Sequence, residues 1–460
     1  MSGIRSWFLR QGALTRGALV GFAALIVVGL GLLIWYATTP KAMDFAGGQT
    51  MALTDYRGAD PSVPAALKSG STVKRGEYLA RAADCKVCHT KPGGRPYAGG
   101  LAFRLPFGTI YSPNITSDRE TGIGTYTDAQ FLAAVHQGIR RDGAHLYPAM
   151  PFASYTYMSD ADALAIKAYL FSLAPVHAAV KVSTLVFPFN QRWLIGIWSG
   201  LFNADQRFRP HPDRSPQWNR GAYLAEALAH CGECHTPRNL AFALNNRRKF
   251  AGAVTAGWRG YNITEDKNTG VGAWSDGDLF AYMSSGHATG HGTASGPMGE
   301  AVDASFATMA PEDIRAIVVY LRSIPAQSSP DLPAALAPPA SPSHRIGPQV
   351  ANALGKQIYE GACASCHSWT GASPLSSLAT LTGARAVNDP GATNVAQIIV
   401  SGMKRTTPRG AIAMPAFGNA YSDAEIAAVA NYVTARFGSK PSALSGKDVA
   451  TLRKQTSHAE

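Results

Sequence analysis

Apolar and polar positions alternate on two different scales along this chain. Residues 18–37 carry no charged side chain. About 20 apolar residues are what a helix needs to cross a bilayer, so the run predicts one transmembrane helix, with residues 1–40 forming a cytoplasmic start and anchor. Arg5, Arg10 and Arg16 precede the run, and Lys41 and Asp44 follow it. Retention of the cationic side in the cytoplasm places the rest of the chain outside, with Trp35 and Tyr36 at the outer interface. A cleaved leader is the competing reading. It calls for a shorter apolar stretch and a small-x-small cleavage site, which Ala37-Thr38-Thr39-Pro40-Lys41-Ala42 supplies poorly. Both readings export the protein, and the retained anchor is preferred.

Beyond the anchor the pattern takes the helical period. Ile314, Ile317, Val318 and Leu321 mark the inner face of a packed helix. Ser159 with Asp162, and Ser422 with Glu425, have the spacing of capping boxes, and Pro311 suits a first helical turn. Each of these helices carries a tyrosine near its end, at Tyr169, Tyr320 and Tyr432. They close units that repeat. Arg75-Gly76-Glu77-Tyr78-Leu79 recurs as Arg220-Gly221-Ala222-Tyr223-Leu224 and, more loosely, as Gly355-Lys356-Gln357-Ile358-Tyr359. Asn114-Ile115-Thr116 and Asn262-Ile263-Thr264 recur downstream, followed by Thr121-Gly122-Ile123-Gly124 and Thr269-Gly270-Val271-Gly272. Asn-x-Thr is also a glycosylation sequon, but its repetition points to a shared loop beside a buried group.

The predicted fold is therefore all-α, with three small tandem domains at 72–175, 215–326 and 349–438 after the anchor. The first two should resemble each other more than the third. Residues 176–214 contain Phe187, Phe189, Trp193, Ile195, Trp198, Leu201 and Phe202. They are too apolar for a solvated tether and should pack between domains or against a partner. Residues 327–348 form a linker rich in Pro, Ala and Ser, and 439–460 a polar tail.

Composition changes this picture in two ways. An apolar content of 46% is ample for packed cores, and the formal charge of +12 invites a nucleic-acid reading. No RNA- or DNA-binding motif accompanies the charge, so acidic lipid headgroups or an acidic partner face are the better matches. The six cysteines decide more. They fall as Cys85/Cys88, Cys231/Cys234 and Cys363/Cys366, each pair followed at once by a histidine, with none left over.

Cys-x-x-Cys-His is the attachment signature of c-type haem. Residues i and i+3 of a helical turn share a face, so both thiols can bond one side of a porphyrin while the adjacent imidazole reaches the iron. A zinc site would need two pairs close together or a matched histidine pair. A thioredoxin-like site would need a βαβ setting. Neither is present. Three covalent haem c groups are expected, with His89, His235 and His367 as proximal ligands.

Cytochromes c commonly use methionine as the sixth ligand, which raises the potential. Met150, followed by Pro151, fits in the first unit better than Met158, which stands at the start of a closing helix. Met414, followed by Pro415, fits in the third better than Met403, which falls in an expected helix. In the second unit Met298 follows Pro297, with Met283, Met309, His287 and His291 as alternatives. Proline beside the ligand restrains its loop. With both axial positions filled, each iron would pass electrons and bind no substrate.

On these residues the chain resembles the triple-haem cytochrome c subunits of membrane-bound bacterial dehydrogenases that oxidise alcohols, gluconate or aldehydes. The match runs over roughly residues 73–437. It includes Tyr97-Ala98-Gly99-Gly100, Gly108-Thr109-Ile110-Tyr111-Ser112, Leu146-Tyr147-Pro148-Ala149-Met150-Pro151, Asn190-Gln191-Arg192-Trp193, Trp218-Asn219-Arg220-Gly221 and Met414-Pro415-Ala416-Phe417-Gly418. The resemblance implies no catalysis by this chain alone. It implies a catalytic partner and electron delivery to ubiquinone or a terminal oxidase, with the haem domains in the periplasm and the anchor in the inner membrane. The N-terminal span and polar end look most like the cytochrome subunit of a molybdopterin aldehyde dehydrogenase, whose partners include iron-sulfur subunits. Two rival functions are a haem enzyme such as a peroxidase, which needs an open iron, and a free-standing multihaem relay or oxidase subunit.

Overall fold

The computed structural model describes residues 11–41, 64–334, 352–407 and 410–455. The first helix, α1 (Ala13–Thr38), extends the predicted span at both ends. It buries none of its residues and is apolar and long enough to cross a membrane.

Three crossed helix pairs follow. In the first pair α2 (Thr72–Ala82) meets α3 (Asp160–Ser172). After α4 (Arg192–Phe202), the second pair is α5 (Pro216–Tyr223) with α6 (Pro311–Leu321). The third is α7 (Ala353–Ile358) with α8 (Asp423–Phe437). The repeated glycine sits at every crossing. A Cβ would lie 1.8 Å from the Ala165 carbonyl oxygen at Gly76, 1.9 Å from that of Ala316 at Gly221, and 2.2 Å from that of Ala428 at Gly355. Only a hydrogen side chain permits backbones this close.

The start signals hold with one correction. Pro311 occupies the first turn of α6, and Ser422 and Glu425 form a complete capping box on α8. At α3 the Ser159 hydroxyl accepts from the Asp162 N–H, but the Asp162 carboxylate does not return the bond. It is occupied by Arg75, whose Nη2 lies 2.5 Å from Oδ1.

The first two units share one core, which includes Leu79, Met158, Ile166, Leu228, Ile314 and Ile317, whereas the third has its own around Tyr359, Ile426 and Phe437. A reciprocal clamp locks the first two together. Arg220 donates to Asp313 through Nε at 2.8 Å and Nη2 at 2.7 Å, as Arg75 does to Asp162. Tyr223 of the second unit donates to Asp162 Oδ2 at 2.6 Å, and Tyr78 of the first donates to Asp313 Oδ2 at 2.5 Å. Each tyrosine oxygen also accepts a backbone N–H just before the partner helix, from Ser159 and from Ala310. Because equivalent residues exchange places, the two units are related by an approximate two-fold axis. The third unit packs on the second. Arg405 donates to the carbonyls of Ala294 and Ser285 and pairs with Asp303 at 2.9 Å, while Tyr261 donates to Asp389.

Helices predominate, and among the described residues four small antiparallel sheets line the loops. Their strands are Ala102–Leu105, Gly108–Tyr111 and Thr184–Leu185; Ala253–Thr255 and Trp258–Gly260; His287–Ala288 and Gly292–Thr293; and Met403–Thr407 and Gly410–Met414. Met403 therefore lies on a strand, not a helix, directly opposite Met414. Gly402, at φ +68°, turns the chain out of the helix Thr393–Ser401, and its missing Cβ leaves room for the Met414 carbonyl. The polar tail is also not loose. Residues Gly446–Gln455 form α9, packed on α8 through buried Val449 and through Arg453, whose Nε lies 2.9 Å from Asp423. The linker begins as part of the second unit, where the Ser329 hydroxyl donates to the Ala251 carbonyl and Leu332 is buried. Its residues 335–348 lie outside the described ones.

The aromatic connector packs by one face of α4. Trp198 Nε1 donates to the Ala241 carbonyl, Arg192 donates to the His145 carbonyl and covers the Tyr147 ring, and Asn203 donates to the His136 carbonyl.

Candidate haem sites

Each Cys-x-x-Cys-His segment is a single helical turn, at Cys85–Cys88, Gly232–His235 and Ala364–His367. In the first two units the residue before the first cysteine, Asp84 or His230, adopts a left-handed conformation, with φ of 55° and 38°. This kink separates the turn from α2 and from the π-helical continuation of α5 at Leu224–Leu228. No cysteine is paired in a disulfide. Burial pushes the Cys85, Cys88 and Cys231 thiols up to about 12. They are neutral S–H groups, unlike activated redox thiolates, whose pKa is depressed. Among the described residues no three His, Cys, Asp or Glu side chains converge as a metal cage.

In the second and third pairs the two thiols differ in exposure, whereas Cys85 and Cys88 are both partly buried. Cys85 and Cys231 pack against the shared core, and Cys363 packs against the third. Cys366, however, is exposed, as is Cys234. The neighbouring Ser365 hydroxyl donates to the Cys366 sulfur at 3.9 Å.

The three histidines are held alike. Nδ1 lies 2.8 Å from the Pro113 carbonyl oxygen in His89, 2.5 Å from that of Tyr261 in His235, and 2.6 Å from that of Ala379 in His367. A carbonyl can only accept, so each Nδ1 carries the proton and each Nε2 presents a lone pair. Orientation of this kind is what a metal-ligating histidine requires. Burial lowers the pKa of all three rings, against a smaller raising effect from that hydrogen bond. The neutral, ligating form is thereby favoured.

The repeated Asn-Ile-Thr loops now have a role. Pro113 and Tyr261 immediately precede Asn114 and Asn262. The Asn114 Oδ1 accepts from the Thr116 N–H and hydroxyl, and its Nδ2 donates to the Val176 carbonyl. Asn262 repeats the arrangement with Thr264 and Gln327. Both asparagines are 2% exposed, so they are internal struts that aim the preceding carbonyl at the histidine, and not accessible sequons.

The methionines fall into two classes. Met150 and Met298 are partly buried at the edge of the shared core, and Met414 stands likewise at the edge of the third. Met158, Met283 and Met309 are buried within the core. The Met403 sulfur accepts from the Ser295 hydroxyl at 3.2 Å. His291 stacks on Trp274 at 3.9 Å, and His287 contacts Thr293 Oγ1 through Nδ1 at 3.0 Å. The three edge methionines stand in different settings. Met150 precedes the turn Phe152–Tyr155, Met298 lies in the first turn of Gly296–Ala304, and Met414 ends a strand.

The first two sites are brought together. Gly296–Ala304 packs against the Cys85–Cys88 turn, and Phe152–Tyr155 packs against Leu224–Leu228. The Ser154 hydroxyl donates to Glu233 between the second pair of cysteines, and the Tyr155 hydroxyl donates to the Ala83 carbonyl beside the first pair. The clamp residues Arg75, Asp162, Arg220 and Asp313 were not singled out by sequence reasoning as the joint between units. The available signal was an arginine before the repeated glycine of the first two units, matched by an aspartate in the first turn of their closing helices.

Comparison with known proteins is consistent with this construction. Residues 73–174 match the cytochrome c family, and residues 350–433 match the family described as cytochrome c oxidase, cbb3-type, subunit III. The fructose dehydrogenase cytochrome subunit of Gluconobacter japonicus is 39% identical over 426 residues, covering 88% of this chain and 87% of that one. The gluconate 2-dehydrogenase cytochrome c subunit of Pantoea cypripedii is 39% identical over 408 residues, covering 83% and 89%. One of the nicotinate dehydrogenase subunits of Pseudomonas putida is 38% identical over 420 residues, covering 90% of this chain but 34% of that longer protein.

Proposed function

Because the chain belongs to the cytochrome c subunits of bacterial membrane dehydrogenases, we propose that it is a three-haem electron-transfer subunit, anchored by α1 in the inner membrane with its body in the periplasm. The residues fit the cofactor. Cys85 and Cys88, Cys231 and Cys234, and Cys363 and Cys366 would hold the haems through thioether bonds. His89, His235 and His367 would ligate iron through Nε2, and Met150, Met298 and Met414 would supply thioether sulfurs to it. Haem c held there supplies a one-electron iron couple, whose potential a methionine ligand raises.

The observation that carries this reading is the threefold Nδ1-to-carbonyl hydrogen bond, which orients all three imidazoles for ligation. Three cytochrome c domains, at 72–175, 215–326 and 349–438, follow from it. The chain is not catalytic by itself. A dehydrogenase subunit oxidising an aldehyde or alcohol delivers the electrons, and ubiquinone or a terminal oxidase receives them. Reading α1 as a retained span favours a molybdopterin enzyme with an iron-sulfur subunit as that partner. The second unit, packed against both others, supports a linear order of sites.

Gentle detergent extraction of the native membrane tests the proposal. The cytochrome should co-purify with a dehydrogenase, and adding that enzyme's substrate should reduce the haems. A cytochrome that purifies alone and stays oxidised with substrate present would refute the complex.

A further inference from the structure

The face of α4 turned away from the body has no partner among the described residues. Trp193, Ile197 and Leu201 follow one another at helical spacing and are 62%, 57% and 50% exposed. The loop beside them, tied to α4 by the Trp198-to-Ala241 hydrogen bond, presents Leu240 fully and Phe242 at 57%. No charged side chain lies on this face of α4, since its one charged residue, Arg192, is turned inward onto His145 and Tyr147.

What fixes the occupant is position. The far end of α4 touches the outer end of α1, with the Phe202 ring 6.3 Å from Trp35. Arg247 donates to the Thr38 carbonyl at 3.0 Å. A helix rises about 1.5 Å per residue, so α4 is about 16 Å long and no part of it stands more than roughly 22 Å from Trp35. An uncharged aliphatic and aromatic stripe at that height meets headgroups and upper acyl chains, where such faces partition and tryptophan is enriched.

We propose that α4 and the Leu240–Phe242 loop lie in the outer leaflet of the phospholipid bilayer as a second, monotopic attachment. This rests on reading α1 as the membrane span. A lone span leaves the body free to swing, and a second contact fixes its tilt. Because α4 is fastened to the first unit through Arg192 and to the second through Trp198, those two units are the ones held against the membrane surface.

The test uses the complete haem-loaded chain in phosphatidylcholine–phosphatidylglycerol vesicles doped with a diazirine-acyl phospholipid. After photolysis the labelled peptides are mapped by mass spectrometry, with α8 as the unlabelled reference. Label is expected in α1, in residues 192–202 and in residues 240–242. A Trp193→Ser, Ile197→Ser, Leu201→Ser variant, altered only on the exposed face, should lose the α4 label and keep that of α1. Label in α1 with α4 no higher than α8 would overturn the proposal while leaving the span intact. Absence of label from both would remove the anchor reading and the proposal together. An unlabelled α4 that becomes protected from modification only in the dehydrogenase complex would make this face a protein-docking surface, which also overturns it.

Discussion

Replacing Asp313 by Asn tests how the first two units are joined. The Arg220–Asp313 pair is nearly dry, with side chains 10% and 2% exposed. The amide would keep the shape and remove the carboxylate charge that faces the guanidinium. Breaking a buried pair from one side costs about 3–5 kcal/mol. The pseudo-symmetric change, Asp162→Asn, leaves Arg75, whose side chain is 25% exposed and open to water. The cost there should be nearer 1–3 kcal/mol, roughly the range for a lost charge-assisted hydrogen bond. Tyr78→Phe removes the cross-unit hydroxyl at a cost of about 1 kcal/mol. In the Asp313→Asn background that cost should shrink, because the two groups share one bond. The assay is denaturant unfolding of the haem-loaded chain, followed by circular dichroism and haem absorbance. If Asp162→Asn were the more damaging variant, or Tyr78→Phe and Asp313→Asn were strictly additive, the reciprocal clamp would not be the joint between these units.

Other changes have equally definite outcomes. Gly355→Ala places a methyl 2.2 Å from the Ala428 carbonyl and should destabilise the third unit by about 1–3 kcal/mol in thermal unfolding. Gly361→Ala, with nothing within 4 Å, should stay within about 0.5 kcal/mol of the parent. Burial, aided by Arg207, lowers the His136 pKa to about 4 despite Asp160 nearby. The unfolded chain, titrating near 6.5, therefore takes up this proton first. Stability should fall as pH drops from about 6.5 to about 4, by up to roughly 3 kcal/mol, and His136→Gln should flatten that slope in urea titrations. Met414→Leu should open one iron and allow carbon monoxide binding by the reduced protein, which the parent should lack. Equal binding by both would remove Met414 from the ligand set.

Local patterns made much of this protein legible. The uncharged run became α1, Pro311 and Ser422 started their helices, and the cysteine spacing marked the three histidines that the structure orients alike. The repeated Asn-Ile-Thr loop was recognisable as shared, although its task of aiming a carbonyl at His89 or His235 emerged only from the fold. What escaped depends on distant residues. Asp162 reads locally as a capping partner because nothing near it in sequence reveals Arg75 or Tyr223. Tyr78 and Asp313 meet across 235 positions, beyond any periodicity argument. Spacing likewise says nothing of which thiol a core encloses, so the exposure of Cys366 beside the packed Cys363 came only with the fold. Met403 looked helical because the apolar run before it is helical, while Gly402 diverts the chain into a hairpin. The polar tail gave no sign of α9, which buries only Val449 among polar residues.

The intact mass of the mature protein, purified from its own membrane with reducing agent present, addresses the central claim most directly. The account predicts a single species carrying three haem masses that survive denaturation, one on each cysteine pair. A chain carrying two or fewer, or one that sheds haem on unfolding, would contradict it.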